Sequence, residues 1–307
     1  MPKKKKKTSI QNRTSNEGCI SILTPTYNRS KFLPLITYNI KSQSYDHNKL
    51  EWFVYDDGTE PFFTDETLKK TRETLHPIKI KYYFDKNKKS IGFKRNYLIK
   101  HASYKVLAMM DDDDIYFSSY IKTYYDILKD KKVGLVGSAE MLFIYPRLNY
   151  LISFIKCRAE RQIHEATMVF TKKYYNSMPG FDDGSRGEGA KMIDFNEKNV
   201  FMASVSDCMM CISHNSNTIS KDRFVENKTK LKINDLNYIK LIEDILSEQI
   251  NLNPSPEDFI YVDPDKKDDT KESTDTKEST DKKESTDDTK ESTDKKESTD
   301  DTKEKKD

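Results

Sequence analysis

Apolar positions in the first half of the chain fall into short unbroken runs, with polar segments between them. Ile20-Ser21-Ile22-Leu23-Thr24 and Trp52-Phe53-Val54-Tyr55 are two such runs about 30 residues apart, the span of one strand–helix–strand unit. Pro34 to Ser42 between them predicts part of a helix. Ile78, Ile80 and Tyr82 alternate with lysines, which predicts a third strand with one face in water. Phe93 to Ala102 predicts another helix, and the apolar run ending at Met110 predicts a buried strand. Strands alternating with helices build a mainly parallel sheet flanked by helices, an α/β fold.

Beyond residue 114 the pattern becomes mixed. Tyr120, Ile121, Tyr124 and Leu128 form a helical stripe, and strands are expected near Val133 to Val136, Met141 to Tyr145, Met168 to Thr171 and Val205 to Ile212. The glycines from Gly180 to Gly189 predict a loop able to approach a ligand. Leu236 to Ile250 has a second helical stripe. These elements make one domain, residues 18–253.

The two ends have a different composition. Residues 3–7 are all lysine, and from about Pro264 the chain cycles through Lys, Glu, Ser, Thr and Asp without an apolar residue. Such segments cannot offset their ordering entropy, so residues 1–17 and 254–307 are expected to be disordered tails. Residues 265–307 hold 12 Lys and 17 acidic groups, leaving 41 basic and 34 acidic residues elsewhere, and the lysine run supplies five of that net +7. The nearly neutral body argues against a nucleic-acid-binding face. The lysine run is read as a solvated tail first, with nuclear import or a tether to an anionic surface as the alternatives.

No apolar stretch approaches the roughly 20 residues of a membrane span, and the amino terminus lacks a secretory signal core. A soluble cytoplasmic protein without a membrane span is expected. Cys19, Cys157, Cys208 and Cys211 are too sparse for a disulfide framework. Cys208-Met209-Met210-Cys211 with His214 hints at zinc, but one CxxC in an apolar setting is read as core. Usage rich in Lys, Asn, Ile and Tyr suggests an AT-rich genome, with a protist or viral origin as the expectation.

Chemistry concentrates where the run Val106 to Met110 ends in Asp111-Asp112-Asp113-Asp114. Alternation along an extended chain puts Asp111 and Asp113 on one face about 7 Å apart, where repulsion costs roughly 2 kcal/mol at an effective dielectric of 20. A hard cation, Mg²⁺ or Mn²⁺, held by carboxylates, phosphates and water offsets it. The competing reading is a solvated acidic loop with Asp114 or Ser118 capping the next helix.

Five motifs follow one another in order: Ser21 to Arg29 with Pro25-Thr26-Tyr27-Asn28-Arg29, Val54-Tyr55-Asp56-Asp57-Gly58-Thr59, Gly92-Phe93-Lys94-Arg95-Asn96, Asp111-Asp112-Asp113, and Met178-Pro179-Gly180-Phe181-Asp182-Asp183. Together they resemble the GT-A glycosyltransferases of family 2, over roughly residues 20–215. The resemblance implies a nucleotide-sugar donor, a UDP-sugar before others, and a hydroxyl acceptor on a glycan, protein or small molecule. It implies that Pro25, Thr26 and Tyr27 shape the nucleotide pocket with Asn28 and Arg29, that Asp56 beside Asp57 accepts a hydrogen bond from the base, and that Lys94 and Arg95 lie near the donor. Asp111 and Asp112 are expected at the ribose or metal, and Asp113 and His214 as metal ligands with Asp111.

Most of the family invert the anomeric centre and need a base for the acceptor hydroxyl. Here the chain departs from the pattern: Gly187-Glu188-Gly189 has glycine where the family places the Asp of a Glu-Asp pair. Glu188 is the expected base, with Asp183 and Asp194 behind it. Two alternatives stay open, a catalytically silent domain that binds nucleotide or glycan, and a nucleotidyltransferase.

Overall fold

A computed structural model describes residues 16–157, 162–193 and 198–247. The expected tails, apart from Asn16 and Glu17, and the candidate Asp194 lie outside the described residues.

The strands are β1 (Ile20–Thr26), β2 (Leu50–Asp56), β3 (Lys79–Phe84), β4 (Val106–Met109), β5 (Ile115–Tyr116), β6 (Leu135–Gly137), β7 (Glu140–Tyr145), β8 (Leu151–Lys156), β9 (Val169–Thr171), β10 (Val200–Met202) and β11 (Met209–Ile212). The helices are α1 (Leu33–Lys41), α2 (Asp65–Leu75), α3 (Ile91–His101), α4 (Tyr120–Asp130), α5 (Lys172–Tyr175) and α6 (Leu236–Leu246). Seven strands form one sheet in the order β10-β6-β9-β4-β1-β2-β3, and β5-β11-β7-β8 form a second. Within the first sheet β9 runs antiparallel to both β4 and β6, and the other pairings are parallel. The expected α/β class, mainly parallel with a mixed second half, is the one observed.

Both faces of the large sheet are covered, which explains the unbroken apolar runs. Ile20, Ile22, Trp52, Val54 and Ala108 join α1 and α4 in one core. Leu23, Phe53, Tyr55, Leu107 and Met109 turn the other way, onto Leu98 and Ile99 of α3. Trp52 is tied down as well as packed, its Nε1 donating to Thr24 Oγ1 at 2.9 Å.

Chain order places the functional edge. β1, β2 and β3 step outward on one side, and β4 then pairs with β1 on the other. The order reverses between β1 and β4, and the loops leaving their carboxyl ends must part there, opening a crevice. Those loops are the one that follows Thr26 through Arg29 and the one through Asp111 to Asp114. β9, being antiparallel, begins at this same edge, where Met109 N donates to Met168 O at 2.9 Å.

Some expected elements shift. The segment from Val205 starts as a 3-10 turn, Val205–Asp207, before β11. β6 lies one to two residues later than expected. The pattern gave no sign of α2, because Asp65-Glu66-Thr67-Leu68-Lys69-Lys70-Thr71-Arg72-Glu73-Thr74-Leu75 buries only Thr71 and Leu75 fully. Its start is set locally instead. Thr64 Oγ1 accepts from Thr67 N at 3.1 Å and Thr64 N donates back to Thr67 Oγ1 at 2.9 Å, a reciprocal cap. Cys208 and Cys211 are buried free thiols, as expected of core residues.

Candidate active site

The crevice between β1 and β4 holds a cavity of about 420 Å³, lined by Pro25, Thr26, Tyr27, Asn28, Arg29, Lys94, Arg95, Asp111, Asp112 and Asp113. Each of these is a residue that the sequence motifs point to. Lys88, Lys89, Ile91, Ser185, Ser216 and Thr218 complete the lining and were missed. The only early signal for the lysines is the basic run Lys86-Asn87-Lys88-Lys89 just before α3.

Each member of the acidic run has a different environment. Asp111 accepts from Arg95 Nη2 at 3.2 Å, and its backbone N–H donates to Tyr116 Oη at 2.8 Å. Asp112 is buried and accepts from Thr26 Oγ1. Burial, and then the neighbouring Asp113 charge, push its pKa up to about 7. Asp113 pairs with Arg29, and its Oδ2 lies 3.1 Å from His214 Nε2. Burial raises its pKa, but Arg29 and His214 outweigh burial and hold the carboxyl well below the usual range. Asp114 faces away from solvent: Ile212 N donates to its Oδ1 at 3.1 Å, tying the loop to β11. The capping alternative is thereby corrected, since the residue at the N-cap of α4 is Ser119, which makes no side-chain cap bond, and Asp114 is engaged elsewhere.

His214 reaches this cluster from the loop after β11. Its ring packs 4.9 Å from that of Phe32, its Nδ1 lies 2.9 Å from Ser216 Oγ, and its backbone N–H donates to Asn217 Oδ1 at 2.8 Å. The imidazole is therefore fixed against Asp113 and is no part of a Cys208–Cys211 zinc site. Arg29 binds across the crevice, donating from Nη2 to Ser216 O at 2.6 Å. Asn28, which precedes it, adopts the left-handed region at φ 52°, a conformation Asn tolerates.

The donor chemistry of Asp113 and His214, one carboxylate and one imidazole, fits Mg²⁺ or Mn²⁺ completed by phosphate oxygens and water. Asp111 is turned to Arg95, and no group of three or more His, Cys, Asp or Glu side chains is arranged to hold a metal among the described residues. The expected trio of Asp111, Asp113 and His214 is thus brought together only as a pair, and Arg29 is the cation at that pair.

Arg95 is the hub of the site. It is buried and holds Asp111 through Nη2 and Glu188 Oε1 through Nε at 3.1 Å. Burial works against its charge, but the two carboxylates raise its pKa further. Its Nη1 has no hydrogen-bond partner among the described residues. Lys94, also buried, spends its ammonium on Thr26 O at 2.9 Å and Asp57 Oδ1 at 2.7 Å. Burial draws its pKa down against the pull of Asp57.

Asp56 and Asp57 stand behind the cavity. Asp56 accepts from Gly58 N at 2.9 Å, Phe62 N at 2.7 Å and Tyr82 Oη at 2.6 Å. Asp57 accepts from Lys94 and, at 2.6 Å, from Lys89 N. Both carboxylates organise loops, and neither lines the cavity.

A second cavity, of about 710 Å³, shares Ile91, Arg95, Asp111, Asp113, Ser185 and Thr218 with the first. Glu188 and Glu165 line it, with His164, Phe143 and Lys221. Burial raises the pKa of Glu188 and Arg95 lowers it, leaving a net rise. Asp183 is exposed, hydrogen-bonded to Ser90 Oγ, and lines neither cavity. The glycine-rich loop reaches the site by close contact with α3. Gly92 N donates to Gly184 O at 2.8 Å, and a Cβ at Gly92 would fall 1.7 Å from Asp182 O. Gly92→Ala is therefore expected to force the loop off α3 and cost about 1–3 kcal/mol, read as a lower urea midpoint.

The helices of the described residues include none long and apolar enough to cross a membrane. Among solved structures, the chain is similar to TarS 1-349 of S. aureus at 15% identity, covering 64% of this chain and 60% of that one, with a TM-score of 0.49. It is also similar to the mannosyltransferase PcManGT of Pyrobaculum calidifontis, in complex with GDP-Man and Mn²⁺, at 16% identity over 78% and 66% of the two chains, with a TM-score of 0.49. A curated relative, the uncharacterized glycosyltransferase RC0461 of Rickettsia conorii, is 28% identical over 115 residues, which are 38% of this chain and 18% of that protein. The match thus spans less than a fifth of that relative. The family described as Glycosyl transferase family 2 matches residues 21–180, more than half of the chain, and the chain belongs to that family.

Proposed function

We propose that this protein transfers a sugar from a nucleoside-diphosphate donor, a UDP-sugar before others, to an acceptor hydroxyl with inversion, using Mg²⁺ or Mn²⁺. The observation that carries this reading is the juxtaposition of two cavities across one wall of Arg95, Asp111 and Asp113. One cavity, with Arg29, Lys88, Lys89 and the acidic run, suits a nucleoside diphosphate. Its neighbour, with two glutamates, suits a hydroxyl that must lose a proton.

Asp113 and His214 would hold the ion, with Arg29 giving way to it. A bound ion supplies neutralisation of the charge that builds on the leaving diphosphate. Lys88, whose Nζ sits 4.0 Å over the Tyr27 ring, and Lys89 place further positive charge at the rim. Arg95 keeps Asp111 and Glu188 in register between donor and acceptor.

A thermal-shift screen of the full chain against UDP-, GDP-, ADP- and dTDP-sugars, with and without Mn²⁺, tests the donor site. Ligand at 100 times its dissociation constant stabilises by about 2.7 kcal/mol. A Mn²⁺-dependent shift with one nucleotide series is expected, and no shift with any of them would contradict the assignment.

A further inference from the structure

Resting on the transferase reading above, we infer that Glu165 is the general base for the acceptor hydroxyl, and that Gly189 is glycine to make room for it. Glu165 opens the 3-10 turn Glu165–Thr167 just before β9. Because β9 is antiparallel to β4, that turn lies at the carboxyl edge, beside the acidic run. Tyr116 Oη fixes the spacing: it donates to Ala166 O at 3.1 Å and accepts from Asp111 N at 2.8 Å.

The two glutamates of the second cavity are not equivalent. Glu188 is buried and ion-paired with Arg95, so taking a proton would cost it a charge-assisted bond and leave the guanidinium undercompensated. Among the described residues Glu165 accepts from a neutral donor alone, Gly189 N–H to Oε1 at 3.0 Å. Among the described residues no donor binds its Oε2. A proton there would break no ion pair among the described residues.

Gly189 supports the assignment sterically. Its φ of −85° and ψ of −2° suit any residue, so the backbone does not require glycine. Space does: a Cβ would fall 2.4 Å from Glu165 Cγ and 2.9 Å from Oε1. A side chain at 189 would push the Glu165 side chain out of this position, and the glycine leaves it in place. In the step, the acceptor O–H proton passes to Glu165 and the acceptor oxygen bonds the anomeric carbon. The bond from that carbon to the phosphate oxygen breaks, and its electron pair leaves with the nucleoside diphosphate.

The test follows nucleoside-diphosphate release by the full chain from UDP-glucose, UDP-GlcNAc and GDP-mannose with Mn²⁺, water serving as the hydroxyl nucleophile. Glu165→Gln preserves the bond from Gly189 N and should lose about 10²–10⁴-fold of release, while its donor-induced thermal shift persists. Gly189→Ala should match it. Sodium azide attacks without losing a proton, forming the carbon–nitrogen bond as the phosphate leaves. It should restore release to Glu165→Ala and yield the glycosyl azide. Glu165→Gln releasing at the wild-type rate, or losing its donor shift along with activity, would overturn the assignment of Glu165 alone. Loss in Glu188→Gln with none in Glu165→Gln would move the base to Glu188. No release by the wild-type chain from any donor would overturn the transferase reading, and this assignment with it.

Discussion

Asp113→Asn is expected to cut turnover by about 10²–10³ while leaving the protein folded. The substitution keeps the side chain's shape and removes its charge. The wild-type group is held as an anion by Arg29 and His214 despite burial, so it presents a carboxylate to a hard cation. Losing that ligand forfeits several kcal/mol of charge stabilisation on the leaving diphosphate, and each 1.36 kcal/mol is tenfold in rate. The fold is spared because Asp113 is partly accessible and the bonds of Asp112 and Asp114 to β1 and β11 remain. Rates measured over a Mn²⁺ titration check it. A variant with the wild-type rate and metal dependence would remove Asp113 from the metal's ligands.

Arg95→Met is the variant expected to cost the most stability. Arg95 is 3% exposed and is the cation between Asp111 and Glu188. Without it the buried Glu188 and the partly exposed Asp111 lose their shared counter-charge, with Glu165 adding to the repulsion on both. Removing one partner of a buried ion pair costs about 3–5 kcal/mol, a large share of the 5–15 kcal/mol that holds a typical domain together. Urea unfolding at neutral pH should show the loss as a lower midpoint with an unchanged slope. Adding Glu188→Gln to Arg95→Met should recover part of it, because one of the stranded charges is gone. A loss below about 1 kcal/mol for Arg95→Met would mean that water screens the cluster far more than its burial implies.

Much of the site was legible in the sequence because it lies at the ends of strands. Apolar runs buried on both faces stand out along the chain, and β1, β2 and β4 each end in polar groups: Thr26, Asp56 and the acidic run. The motifs therefore pointed to Asp111–Asp113, Arg29 and Arg95 before any geometry was known. Which groups face one another was not legible, because those contacts join distant parts of the chain. His214 meets Asp113 across 101 positions, and Arg95 meets Glu188 across 93.

The same distance hid Glu165, a glutamate in a stretch with no motif, whose role emerges only when the reversed strand β9 carries it beside Gly189. From the sequence alone that glycine was a missing carboxylate. In the fold it is a space that another carboxylate uses. Asp56 shows the opposite case. A turn aspartate reads as an open acceptor, yet three donors of its own chain occupy it.

The nucleotide product distinguishes sugar transfer from the other reactions open to this site. The full chain is incubated with Mn²⁺ and each nucleotide sugar in turn, and the nucleotide products are separated and weighed by mass spectrometry. Release of the nucleoside diphosphate from one donor series, dependent on the metal and lost in Asp113→Asn, is expected. Release of pyrophosphate from a nucleoside triphosphate in its place, or no nucleotide product from any donor, would contradict sugar transfer.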